Sequence, residues 1–281
     1  MFLGALVLLS TTACSSEDLP RLGWPNAAAE QTQQSLWLWQ TAWIAAFVVG
    51  GITLVLILYP AVFHRRSRMG EVPLQTRYNL PIEILYTIVP LIIVAVLFGY
   101  TARDEANITK LAPVTPNTVN VVAFQWSWTF NYVDQGTFDV GTPNDQPTLW
   151  LPVNEKTRFE LTSPDVIHSF WVPSFLFKMD VIPGRTNQFD LTPDKLGTFK
   201  GKCAELCGVD HSRMLFNVQV VTPAQYAAHI SQLRAAGRNG VLENGRVDNN
   251  ADGKQGRVEI NRNPRPAIPG PSAGAQSGSS Q

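Results

Sequence analysis

The chain has 281 residues, of which 45% are hydrophobic and 16% charged, with 22 basic and 22 acidic side chains balancing to a net charge of zero. Without a basic surplus there is no stripe to neutralise phosphates, which excludes nucleic acid as a partner. The length holds one globular domain plus a membrane part, and the clustering of apolar residues calls for both.

Taken in chain order, the first apolar segment spans 1–13 and ends in small residues before Cys14. It reads as a lipoprotein-type signal peptide, with Cys14 lipidated as the mature N-terminus; the alternative is an uncleaved anchor. Two further segments, 36–62 and 80–100, each reach the roughly 20 residues needed to cross a hydrocarbon core. Trp37, Trp39 and Trp43 gather at the leading end of the first, where an aromatic belt sits. The loop between them carries Arg65, Arg66, Arg68 and Arg77 against Glu71. By the positive-inside rule that loop is cytoplasmic, so the chain is a multi-pass protein of the cell membrane with everything after Tyr100 on the outer face. A buried hairpin in a soluble protein would not need such lengths or such an arginine cluster. Glu83, about one turn inside the second helix, is either an interfacial side chain reaching water or a proton-path residue.

Beyond Arg103 the pattern changes to alternation. Phe124, Trp126, Trp128, Phe130 and Tyr132 occupy every second position, which predicts a strand with one buried face. Short strands are expected at 148–151, 158–162, 169–172, 188–191, 198–202 and 216–221, with turn-rich stretches between them. The fold class expected is an all-β sandwich over 118–221, preceded by a two-helix transmembrane hairpin. A helix is expected at 223–238, and the Gly-, Asn-, Pro- and Ser-rich tail at 239–281 is expected to be disordered. The tail contains no C-x-x-C-H, hence no attachment site for a c-type haem.

Two of the three cysteines, Cys203 and Cys207, fall with His211 and Met214 inside a dozen residues, and a further imidazole, His168, lies upstream. Nearby cysteines in an exported protein commonly form a disulfide. A bridge would not account for His211 and Met214, and zinc has no use for a thioether. Thiolate, imidazole and a weak axial Met suit copper poised for electron transfer. A mononuclear blue-copper site takes one Cys, so the second points to two ions bridged by two thiolates. Sharing one electron hole over both metals keeps bond lengths nearly constant on redox change.

The stretch Cys203-Ala204-Glu205-Leu206-Cys207 through His211 and Met214 resembles the two-copper (CuA) motif of cytochrome c oxidase subunit II, C-x-E-x-C-x-x-x-H-x-x-M. Asp165-Val166-Ile167-His168-Ser169, Ile182-Pro183-Gly184-Arg185, Gln125-Trp126-Ser127-Trp128 and the paired N-terminal helices resemble the same family. The resemblance implies a cupredoxin-like sandwich in which Cys203 and Cys207 bridge two copper ions. His168, His211, Met214 and the backbone carbonyl of Glu205 complete that family's ligand set, and the Glu205 carboxylate reaches a magnesium ion shared with subunit I. It further implies that Trp126 is the electron entry point and that Glu83 stands at the mouth of a proton channel. The partners implied are subunit I, the other oxidase subunits, and cytochrome c or a c-type haem domain of a bc complex. Asp134, Asp139, Asp145 and Asp165 are candidates for an acidic docking face. The activity implied is electron transfer to haem for oxygen reduction coupled to proton pumping. The rivals are an exported copper-delivery protein, a quinol-oxidase subunit without copper ligands, and a nitrous oxide reductase, which needs a propeller domain that this sequence lacks.

Overall fold

The computed structural model of the protein describes residues 21–65 and 75–245. Cys14, Arg66, Arg68, Glu71 and positions 246–281 lie outside the described residues.

Two long helices come first, α1 (Thr32–Phe63) and α2 (Leu80–Ile108). Each contains an 18-residue window of mean hydropathy 2.4, none of it covered by the rest of the chain. The 29 residues of α2 extend about 44 Å, well beyond a hydrocarbon core of about 30 Å. Hydropathy therefore marks only the apolar part of α2, which continues to Ile108 through the polar helix formers Arg103, Asp104 and Glu105. At its start, the Asn79 side chain accepts a hydrogen bond from the Ile82 amide and Pro81 occupies the first turn. The Glu83 carboxylate closes the same end by accepting from the Asn79 amide at 2.9 Å.

The strands form two five-stranded sheets. One has the order β3 (Thr137–Val140), β2 (Ser127–Tyr132), β1 (Asn117–Phe124), β5 (Thr157–Thr162), β8 (Asn187–Leu191). The other has the order β4 (Thr148–Pro152), β10 (Leu215–Val221), β9 (Gly197–Cys203), β6 (His168–Val172), β7 (Phe177–Val181). β1 runs parallel to β5 and β4 parallel to β10, while the remaining pairs are antiparallel. The core lies between the sheets, and its largest fully buried side chains include Trp128, Tyr132, Phe130, Phe159, Phe170 and Phe216.

The aromatic alternation from Phe124 to Tyr132 is not one strand. β1 ends at Phe124, Gln125 and Trp126 make the turn, and β2 begins at Ser127, with Phe124 paired to Ser127. Trp128 pairs with Ala123, so Trp128, Phe130 and Tyr132 face the core together with Ala123, Val121 and Val119. Phe124 faces the other way. A two-residue turn pairs position i with i+3 and so exchanges the faces of even and odd positions, yet the even-numbered aromatics run through it unbroken, so a period of two alone does not reveal the reversal.

The second face of β2 is buried as well, against expectation. Thr129 Oγ1 donates to the Gly245 carbonyl at 2.7 Å, and Asn131 exchanges hydrogen bonds with the backbone of Leu242. Residues 239–245 thus lie against this sheet, within the stretch expected to be disordered. The core also takes in Ala28 and Ala29, which precede α1 and so lie outside the predicted domain boundary.

The last helix, α3 (Pro223–Ala235), opens on a capping box between Thr222 and Gln225. It stops short of the expected 238 because Gly237 takes a left-handed φ of 75°. Tyr226, His229, Ile230 and Leu233 form its buried stripe. The His229 ring stacks on Trp150 at 4.2 Å between centroids, and neither ring nitrogen has a hydrogen-bond partner. Burial, opposed by Asp139 and assisted by Arg238, pushes its pKa down to about 4 from an ordinary 6.5. A depressed histidine contributes stability above its unfolded pKa and loses it as the pH falls toward the folded one. Between pH 6.5 and 4 the domain should therefore lose about 3 kcal/mol from this group. Urea melts at both pH values check this, since His229→Phe should flatten the difference.

Candidate metal centre

The loops at one end of the sandwich bring the ligand-type side chains together. His168 opens β6, Cys203 closes β9, and Met214 immediately precedes β10. Cys207 and His211 lie on the intervening loop. Two backbone hydrogen bonds fix that loop's base: Cys203 N–H donates to the Met214 carbonyl at 3.0 Å and Ala204 N–H to the Ser169 carbonyl at 3.1 Å.

The two sulfurs lie 3.9 Å apart and both cysteines are free, so the disulfide alternative does not describe this structure. Each sulfur has an imidazole nitrogen beside it. His168 Nδ1 is 3.9 Å from Cys203 Sγ and His211 Nδ1 is 3.5 Å from Cys207 Sγ. Met214 Sδ, fully buried, is 3.8 Å from Cys207 Sγ, and the Glu205 carbonyl oxygen is 3.3 Å from Cys203 Sγ. Nitrogen and sulfur atoms of His168, Cys203 and Cys207 all lie within 4.8 Å of one another, an arrangement able to hold a metal ion. A metal–thiolate bond is about 2.3 Å, so one ion can reach both sulfurs from either side of the line joining them. The donor set fits a soft, copper-type ion better than zinc, because a buried thioether is aimed at the thiolates.

His168 is oriented from behind. Its Nε2 lies 2.9 Å from Asp165 Oδ1, which leaves Nδ1 to face the sulfurs. Asp165 in turn accepts from the amides of Gln125 and Val166, each at 2.7 Å. Burial alone would raise the Asp165 carboxyl, but the His168 ring and these two amides hold it below the ordinary carboxylate range. Burial alone would likewise lower His168, and the contacts with Asp165 and Cys203 raise it instead.

The two thiols differ sharply. Burial works to raise Cys203, yet its contacts with His168 and with the backbone of Glu205 and Ser169 bring it below the ordinary thiol value. Burial and the neighbouring Cys203 push Cys207 up to about 12. Two adjacent buried thiolates repel each other, so both ionise together only when cations compensate them. Metal uptake at this pair must therefore release protons.

Trp126 sits on the β1–β2 turn beside the ligand loop. Its indole Nε1–H donates to the Cys207 carbonyl at 3.1 Å, and the Gln125 side-chain amide donates to the same oxygen at 2.8 Å. Gly208 makes this contact possible. It has φ +129°, and a Cβ there would meet Trp126 Nε1 and Cζ2 at 2.9 Å. The neighbouring Trp128, by contrast, is wholly buried in the core and donates its Nε1–H to the Met214 carbonyl at 3.3 Å.

Other sequence candidates lie elsewhere. Glu83 is at the start of α2, remote in sequence and fold from the sulfur pair, and Cys14 lies outside the described residues. The Glu205 carboxylate is exposed. The four aspartates do not form one docking face. Asp139 is buried against Arg238 and accepts from the Thr148 amide, and Asp165 is committed to His168. Carboxylates read as surface charge from composition are drawn inward here by buried donors. The support roles of Asp165 and Gln125 were missed, although an Asp three residues before a candidate His ligand is a usable signal.

The family described as cytochrome C oxidase subunit II, periplasmic domain, matches residues 142–221. The "Probable cytochrome c oxidase subunit 2" of Streptomyces avermitilis is 50% identical, over 85% of this chain and 88% of its own length. The chain belongs to the cytochrome c oxidase subunit 2 family. The cytochrome c oxidase subunit 2 of Mycobacterium tuberculosis is 32% identical over 82% of this chain and 79% of its own. Among solved structures, the periplasmic domain of subunit II of cytochrome oxidase from Bradyrhizobium japonicum is 32% identical, covering 45% of this chain and 99% of that one at a TM-score of 0.41. As a member of this family, with two long apolar helices, the protein is a membrane subunit that works in complex with other oxidase subunits.

Proposed function

We propose that this subunit takes electrons from cytochrome c, or from a c-type haem domain, at a binuclear copper (CuA) centre on the outer face of the membrane. Cys203 and Cys207 would hold both ions, and His168, His211, Met214 and the Glu205 carbonyl would supply the remaining donors. Bound there, two copper ions sharing one electron supply a one-electron relay with a small reorganisation barrier. The subunit then hands each electron to haem in subunit I, where oxygen is reduced and protons are pumped. The observation that carries this reading is the free, buried Cys203–Cys207 pair at 3.9 Å with an imidazole nitrogen beside each sulfur and a thioether beside Cys207. A copper count and electron paramagnetic resonance spectrum of the purified oxidase test it. Two coppers assigned to this subunit, with hyperfine structure from two equivalent nuclei, are expected. One copper with a one-nucleus pattern overturns it.

Within this reading the chain's residues divide the work. Asp165 holds the His168 ring so that Nδ1 faces the metal. Trp126 receives the electron from the donor and passes it toward Cys207 through the indole hydrogen bond. The exposed Glu205 carboxylate reaches magnesium at the face shared with subunit I, and Cys14 carries lipid at the outer surface.

Glu83 takes up protons at the cytoplasmic end of α2. Its carboxylate also accepts the Asn79 amide, so removing it has two separable effects. Glu83→Gln keeps an acceptor for that amide and loses only the titrating group. Steady-state turnover is expected to fall in Glu83→Gln while copper reduction by the donor keeps its rate. Stopped-flow traces of copper reduction beside oxygen-consumption rates check this, and unchanged turnover retires the proton-path role.

A further inference from the structure

Both chain segments that flank the membrane hairpin, the one leading into α1 and the one leaving α2, are fastened to the same edge of the sandwich. β8 is an edge strand of its sheet, and three alternate positions at its end, Asp190, Thr192 and Asp194, hold the two connections. On the way out of α2, the Ala112 amide donates to Asp190 Oδ2 at 2.6 Å, and the Arg158 guanidinium donates to the Ala112 carbonyl. Arg158 lies opposite Asp190 in the β5–β8 register and is paired to it through Nε at 2.9 Å and Nη2 at 3.0 Å. On the way into α1, the Glu30 amide donates to the Thr192 carbonyl at 3.0 Å and the Asp194 amide to the Ala28 carbonyl at 3.2 Å. The Gln31 side chain spans Thr192, accepting from its amide at 2.9 Å and donating to its hydroxyl at 3.3 Å. Ala28 and Ala29 are buried in the core at this edge, and Ala29 pairs with Pro193 just beyond β8.

The metal centre, carried on the other sheet, lies at the opposite end of the sandwich. Asn117 and Thr157 stand level with Leu191 at the fastened end, whereas β1 leads at its far end into Gln125, whose amide holds Asp165. The 8 residues of β1 separate the two ends by roughly 25 Å. A tilt at the fastened end is therefore magnified at the ligands. Electron tunnelling falls exponentially with distance, so a loose base spreads the onward rate over many values.

We infer that the Asp190–Asp194 edge, with Arg158 and Gln31, is a positioning device that sets the place of the copper domain relative to the hairpin, and through it the rate of the electron's onward step. The residues touch neither metal nor donor, and they act through the rigid sheet. The inference about rate rests on the proposed function, whereas the inference about place does not.

The test uses the assembled oxidase carrying Gln31→Ala, which removes the two side-chain hydrogen bonds to Thr192 and so loosens the segment before α1 while leaving the sandwich core intact, and Asp190→Asn as the stronger variant. Electron cryomicroscopy reads the place of the sandwich relative to α1 and α2, and flash-induced electron injection separates donor-to-copper from copper-to-haem transfer. Expected are a displaced or blurred sandwich in both variants, an unchanged copper spectrum, and an onward step slowed about tenfold and no longer single-exponential. A sandwich that keeps its place, or one that moves without slowing the onward step, overturns the inference. Absence of a two-copper spectrum in the unmodified oxidase counts against the proposed function alone, because displacement is read without the metal.

Discussion

Cys203→Ser is expected to abolish the two-copper spectrum and to leave at most one copper on the subunit. Serine preserves the size of the side chain, so the loss is chemical. An alkoxide does not form at neutral pH, and a neutral hydroxyl cannot bridge two soft ions. Cys203 is also the thiol whose surroundings favour the anion, through His168 and the backbone of Glu205 and Ser169. Burial and Cys203 together push Cys207 up to about 12, so removing Cys203 lifts the second of these causes, and Cys207 alone should ionise more readily and hold a single ion weakly. The fold itself should persist, because the base of the ligand loop is fastened by backbone hydrogen bonds that the substitution does not touch. Copper added to the unmodified protein should raise its melting temperature by mass action, and this increment should vanish in Cys203→Ser. A variant that still binds two coppers with an unaltered spectrum would falsify the bridging role.

The ligand types are legible in the sequence because their chemistry is local. Four of the side chains now grouped at the site fall between Cys203 and Met214, and a thioether beside two thiolates restricts the metal whatever the fold. The hairpin was legible because long apolar runs have no other stable fate. What stayed hidden was everything that depends on a chain reversal or on a partner from a distant segment. The even-numbered aromatics run unbroken through the turn at Gln125–Trp126, although the turn exchanges the faces, and this concealed that Trp126 and Trp128 belong to different environments. Asp139 and Asp165 looked like surface acids until Arg238 and His168 were seen beside them. The burial of Thr129 and Asn131 by residues 242–245 joins positions more than a hundred residues apart, which no window of local periodicity registers.

That difference between two neighbouring tryptophans gives the remaining prediction. Trp126→Phe is expected to slow electron entry from cytochrome c by roughly tenfold or more, equivalent to at least about 1.4 kcal/mol of added barrier. Phe keeps an aromatic ring at the β1–β2 turn but removes the indole N–H that joins Trp126 to the Cys207 carbonyl at 3.1 Å. The Gln125 amide still donates to that oxygen, so the carbonyl is not left bare and the ligand loop should keep its shape. The stability cost should then stay near 1 kcal/mol, the usual net value of one hydrogen bond. Trp128→Phe supplies the opposite case. Trp128 is fully buried against Phe170 and Phe216, so shrinking it opens a cavity and costs more stability. Electron entry per loaded metal centre should be nearly normal in that variant. Donor oxidation by stopped flow, normalised to copper content, and thermal melting of both variants distinguish the two roles. If Trp126→Phe melts well below the parent and oxidises the donor at the parent's rate, Trp126 is a packing residue and the entry role is lost.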